Sequence, residues 1–265
     1  MKKICFALIL VMCCTKSYGQ LPAAPEVKGE NYSFGIMADR FGDEHKGIYS
    51  KLLVNLLEKE PDFIMCTGDM IAGYADSQKE ALEQWFEFDG LMKDCTVPFY
   101  PTAGNHDVST GTVLAEWINR YEVLYYSFEV NDDMFWVIGT DLPDRRGRVS
   151  ARQAEYFARV LKDKNPRRLF IFMHTPIWKT PQESGFDQIF NIIEGHKYYI
   201  FSAHEHQFSH TSIDGNDCFV LGTSGGDADP SVPGEIYHYM YLTINKDSVR
   251  IQSHGIDDQQ YEVFK

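Results

Sequence analysis

Five short segments of this 265-residue sequence carry side chains that bind cations. They are Asp39, the pair Gly68-Asp69, the run Gly104-Asn105-His106-Asp107, the isolated His174, and His204-Glu205-His206. Carboxylate, amide and imidazole donors without a thiolate suit manganese, iron or zinc. Each residue alone has an ordinary reading: Asp39 and Asp69 as helix caps, Asn105 as a turn residue, the histidines as packed and hydrogen-bonded side chains. Together, and in this placement, they point to a metal site.

The placement follows from the elements around them. Asp39 ends an apolar run over 33–38, Asp69 follows one over 63–67, and Asn105 follows one over 99–102. Helical periodicity over 48–57 and 79–92 separates these runs, which is the alternation of βαβ units. In such folds the carboxyl ends of the strands are where ligands gather. A hairpin is expected where runs over 124–130 and 134–139 flank Asn131, Asp132 and Asp133. Ser150 and Gln153 then read as a capping box opening a helix with Tyr156, Phe157, Val160 and Leu161 on its apolar face. Further strands are expected over 169–173, 198–202, 208–213, 218–221, 237–244 and 249–253, mostly antiparallel toward the C-terminus. His174 ends the first of these and His204 follows the second. Two β-rich halves, each with its own helices, predict an α/β fold: a four-layer α-β-β-α sandwich of two mixed sheets flanked by helices, one domain over 32–265.

In this order the segments resemble the five motifs of the calcineurin-like metallophosphoesterases: D-x-H, G-D, G-N-H-D, a lone His, and G-H-x-H. The likeness runs from Asp39 to His206. Tyr126-Ser127-Phe128-Glu129-Val130, Gln153 and Gly222-Thr223-Ser224-Gly225-Gly226 are weaker points of similarity to secreted members, among them purple acid phosphatase and cyclic-nucleotide phosphodiesterase-like proteins. The resemblance implies two divalent metal ions. Asp69 would lie between them, with Asn105, His174 and His204 completing one site and Asp39 and His206 serving the other. It further implies a hydroxide bridging the metals that attacks phosphorus, with His106 stabilising the transferring group or protonating the leaving oxygen and Asp107 orienting it. The implied partner is a small phosphorylated substrate.

One position departs from that pattern. The run is Asp39-Arg40-Phe41, with phenylalanine where the first motif has its second ligand, His. Asp43, His45, Tyr74 or a water are the alternatives for the missing donor. The purple acid phosphatases, which also lack that His, recruit a Tyr three residues after their G-D aspartate, and here that position is Ala72. Ala203 replaces the glycine of the last motif at the cost of one methyl group. Arg40 either reaches a substrate phosphate or pairs with an acid, Trp178 either walls a pocket or packs, and Arg145, Arg146 and Arg148 read as a solvated basic loop.

Composition narrows the setting. A formal charge of −13 repels polyanions at long range, so no nucleic-acid partner is expected. Residues 1–19, with Lys2 and Lys3 ahead of an apolar run and small residues near Gly19, read as a signal peptide, followed by a leader over 20–31. The run is too short to span a bilayer, so no transmembrane segment is expected. The expected location is periplasmic or secreted, with lipid modification of Cys13 or Cys14 the lesser alternative. Beyond that leader stand Cys66, Cys95 and Cys218, an odd set that makes no disulfide framework and no catalytic thiol.

Overall fold

The computed structural model describes residues 21–264, so the expected signal peptide lies outside the described residues. In chain order the first half contains β1 (Tyr32–Met37), α1 (Ile48–Leu57), β2 (Phe63–Cys66), α2 (Gln78–Met92), β3 (Phe99–Pro101), α3 (Gly111–Tyr121), β4 (Tyr126–Val130) and β5 (Asp133–Val137). The second contains α4 (Ala151–Leu161), β6 (Arg168–Phe172), a 3₁₀ turn (Ile177–Lys179), α5 (Pro181–Ser184), α6 (Asp187–Ile192), β7 (Tyr198–Ser202), β8 (Ser209–Ile213), β9 (Asn216–Val220), β10 (His238–Ile244), β11 (Val249–Gly255) and β12 (Gln260–Phe264).

One six-stranded sheet has the order β12-β11-β10-β1-β2-β3 and the other β4-β5-β6-β7-β9-β8. Both are mixed: β1, β2 and β3 pair in parallel, as do β5, β6, β7 and β9, while β10 to β12, β4 and β8 are antiparallel. The strand period of two explains the layering. Phe34, Phe63, Phe135, Phe170, Phe172, Phe201 and Phe219 all enter the core between the sheets. Their sequence neighbours face outward, Ile64 and Cys66 toward the first helices, Trp136, Leu169, Ile171 and Ile200 toward the second set. Phe34 stacks on Phe63 at 5.1 Å and meets Phe135 edge-on at 5.3 Å. Truncating so enclosed a ring costs about 3–5 kcal/mol.

The helices cover the outer faces with stripes at helical spacing: Leu52, Leu53 and Leu56 on α1, Trp85, Phe88 and Met92 on α2, Ala154, Phe157 and Leu161 on α4. The four-layer architecture is thus as the sequence predicts. Helices α3, α5 and α6 and edge strand β12 are additions. The capping box at α4 is half made: Ser150 accepts from the Gln153 amide, but the Gln153 side chain turns away to bond both backbone groups of Gly139. Cys66, Cys95 and Cys218 are all buried. No helix of the described residues is long and apolar enough to cross a membrane.

Candidate metal centre

The parallel strands of both sheets end at one edge, and there the ligand-bearing loops meet. His174, directly after Met173 at the end of β6, is fully enclosed. Its Nδ1 lies 2.9 Å from the Thr67 carbonyl, an acceptor only, so Nδ1 holds the hydrogen and Nε2 offers its lone pair. That Nε2 faces Asn105 Oδ1 at 3.0 Å, His204 Nδ1 at 3.1 Å and Asp69 Oδ2 at 3.2 Å. The donor atoms of Asp69, His174 and His204 all lie within 4.8 Å of one another. Electron-rich atoms so crowded repel unless a positive charge stands among them. Burial alone would lower the His174 pKa, but the Asp69 and Asp39 carboxylates outweigh it and raise it well above the ordinary range. Asp69 is the counterpart: burial would raise it, and His174 and His106 hold it below the usual carboxylate range. A divalent cation fits where these residues otherwise draw a proton.

The second half of the centre is built on Asp39, beyond β1. Its side chain is fully buried, and Oδ1 has no hydrogen-bond partner among the described residues. His206 Nε2 lies 3.4 Å from that oxygen, and His206 Nδ1 is 2.8 Å from the Asp227 carbonyl, which again leaves Nε2 as the donor atom. The Asp39 backbone is fixed by the loop after β9: Thr223 Oγ1 donates to its carbonyl at 2.7 Å, joined by the Ser224 and Gly226 amides. Gly226 is needed there, because a Cβ would stand 2.6 Å from the Phe41 carbonyl and 2.7 Å from His206 Cε1. Phe41 itself supplies no donor, and its ring lies under the Arg40 guanidinium at 4.6 Å.

His106 stands at the rim, its Nε2 3.9 Å from Asp69 Oδ2. Its Nδ1 is 2.6 Å from the Ala72 carbonyl, so that carbonyl orients the ring, where Asp107 was expected to. Asp107 does something else. Its Oδ1 accepts from the amides of Met70 and Ile71 and its Oδ2 from those of Asp69 and Gly104, tying the two ligand loops together. Burial and the Asp69 carboxylate push Asp107 up to about 8, against the pull of those four amides toward its ionised form.

Residues 41–208 match the family described as calcineurin-like phosphoesterase. The chain belongs to that family. The matched span contains Asp69, Asn105, His106, Asp107, His174, His204 and His206, and stops short of Asp39. A curated relative from Arcobacter nitrofigilis, "Probable glycerophosphodiester phosphodiesterase GpdQ", is 28% identical over 157 residues, 54% of this chain and 53% of its own. The match therefore spans about half of that relative's length. Among solved structures, a dimetal phosphatase from Danio rerio superposes with a TM-score of 0.64 at 12% identity, over 88% of this chain and 98% of its own. PhoD superposes with a TM-score of 0.66 at 10% identity, over 91% and 70%. GAP50, described as the anchor in the inner membrane complex of Plasmodium, superposes with a TM-score of 0.62 at 10% identity, over 89% and 88%. These likenesses show the calcineurin-like fold.

Set against the family pattern, the remaining candidates separate clearly. Tyr74 lies on the Asn105 side, its hydroxyl 3.4 Å from Asn105 Nδ2. His45 turns outward to the Tyr237 hydroxyl at 2.6 Å and to Asp227 at 3.6 Å. Arg40 is buried and bound to Glu44, Glu87 and the Met70 carbonyl, which leaves the pairing role and removes the phosphate role. Trp178 packs into the core under α4 and α6, its indole N–H on Ser202. Sequence reasoning passed over Asp141, a buried acid just beyond β5 whose Oδ1 accepts from the Thr175 hydroxyl at 2.7 Å and so anchors the neighbour of His174. Its place two residues after Gly139, at another strand end, was the available signal.

Proposed function

We propose that the protein is an exported hydrolase of small phosphate monoesters or diesters that works with two divalent cations, of manganese, iron or zinc. The observation that carries this is the convergence of Asp69, Asn105 and His204 on His174 Nε2 with its tautomer fixed from behind. Asp69, Asn105, His174 and His204 would hold one cation, and Asp39, Asp69 and His206 the other. Bound there, such cations polarise phosphoryl oxygens and lower the pKa of water. The protein's own part is to aim donors and exclude alternatives. Thr67 and Asp227 carbonyls orient the two imidazoles, and the Ala72 carbonyl accepts from His106 Nδ1 and leaves Nε2 facing the reaction space, where His106 as the imidazolium can give the Nε2 proton to the leaving oxygen. The description of the Arcobacter relative supports including a diester among the first substrates.

The test is hydrolysis of an aryl phosphate monoester and diester by metal-stripped protein, with each metal restored in turn, beside Asp69→Asn. Activity that returns with metal and is absent from the variant supports the reading. Folded, metal-loaded protein that cleaves neither ester would sink it. Phe41 favours a second reading, a metal-binding protein with weakened turnover, for which one tightly held equivalent of metal without hydrolysis is the signature.

A further inference from the structure

Tyr74 is held with φ 50°, a left-handed conformation that bulky residues adopt only when the surroundings impose it. The constraint is visible: its amide donates to Ser109 Oγ at 2.6 Å, and the preceding Gly73 is bonded through both backbone groups to Gln84. The result is a half-exposed phenol aimed at the centre. Its ring meets His106 edge-on at 5.2 Å, and its oxygen accepts from Asn105 Nδ2, which leaves the phenolic hydrogen free to donate outward. Over this ring, 6.0 Å from its centroid, lies the guanidinium of Arg146. Arg146 is exposed, donates to the Ser109 carbonyl, and has no acidic partner among the described residues, whereas neighbouring Arg145 pairs with Asp144. In a chain with a formal charge of −13, an unpaired cation against the aromatic rim of the metal centre needs an account.

We infer that Arg146 and Tyr74 form a subsite for an anionic group carried by the leaving part of the substrate, such as a carboxylate or a second phosphate. The inference rests on the phosphoesterase reading for the position of the scissile phosphorus. Arg146 touches Tyr74 and Ser109 and no metal-ligating side chain, so an anion it holds lies outward from the centre, past His106. A guanidinium edge and a phenolic O–H are both donors, and a planar, weakly hydrated cation beside an aromatic ring is suited to paired hydrogen bonds with a carboxylate or phosphate. The basic loop is thereby more than a solvated surface.

The test compares phenyl and 3-carboxyphenyl esters of methyl phosphate, whose leaving phenols differ little in acidity, with full-length metal-loaded protein. Calorimetric titration with phenylphosphonate and 3-carboxyphenylphosphonate, which are not hydrolysed, reads the same preference without turnover. Wild-type protein is expected to favour the carboxylated member of each pair through KM or Kd. Arg146→Ala should reduce that preference about tenfold or more, Arg146→Lys less, and Arg148→Ala should leave it in place. Equal use of both members by the wild type, or a preference untouched by Arg146→Ala, overturns the subsite. Preference in the phosphonate titration without hydrolysis of either ester would keep the subsite and remove the phosphoesterase reading.

Discussion

The two halves of the metal centre are built to different standards. Around His174 the imidazole, Asp69 and Asn105 are buried while His204 is exposed, with Thr67 fixing the His174 tautomer and Tyr74 accepting from the Asn105 amide. Around Asp39 the cradle is equally well made, since three donors converge on its carbonyl, yet the carboxylate keeps one oxygen unpartnered and the neighbouring position is Phe41. The second half thus combines a complete backbone scaffold with a neighbouring side chain, Phe41, that offers no ligand atom. Support and ligation are separate properties, and the first can be complete where the second is sparse.

Four substitutions sharpen that contrast. Removing His174 strips the better half, so His174→Ala should cost metal affinity and turnover by more than the roughly 10–100-fold that a supporting group commands, read by metal content and hydrolysis together. Thr223→Val removes a hydroxyl that bonds the Asp39 carbonyl and accepts from the Gly225 and Gly226 amides. It should weaken uptake of the second cation by about 10–100-fold while the first is retained; equal loss of both would show that the halves are not independent. Phe41→His should work in the other direction, raising affinity for the second cation about tenfold and moving the metal content toward two per chain. No change would place the vacancy elsewhere.

The smallest effect concerns the prop behind the weaker half. His238 is buried, its Nε2 accepts from the Gly222 amide, its Nδ1 bonds Ser253, and burial pushes its pKa down to about 3. The unfolded chain takes up this proton near pH 6.5 and the folded one only near 3, so the contribution is complete above about 6.5 and is lost as the pH falls. Between those limits it changes by up to about 1.4 kcal/mol per pH unit. Denaturant unfolding of His238→Gln should show a correspondingly flatter acid limb than the wild type; an unchanged slope would mean that His238 is charged in the fold.

Most of the residues that meet at this edge were legible in the sequence because each follows a strand whose apolar period is plain, and strand ends are where such folds bind. The layering was legible for the same reason, in Phe34, Phe63, Phe170 and Phe201. Helix α3 was not recognised, although Thr110 caps it and Val113, Trp117 and Tyr121 recur every four residues, because the turn-like Ser109-Thr110-Gly111 masked its start. The roles of Asp107 and Gln153 were out of reach for another reason. Both bond backbone groups distant in sequence, and a carbonyl or amide has no residue identity to read. The Ala72 carbonyl behind His106 is the same case.

The clamp made by Asp107 bears on how the centre tolerates motion. Because one carboxylate holds amides from both ligand loops, those loops are displaced together when either is disturbed. A shift of that edge relative to the sheets changes where the pair sits but not the spacing within it. The separation between Asp69 and His106 is therefore set by hydrogen bonds within this one edge, from the Asp107 carboxylate to both loops and from the His106 amide to Asp69 Oδ1, and not by the packing of the layers beneath.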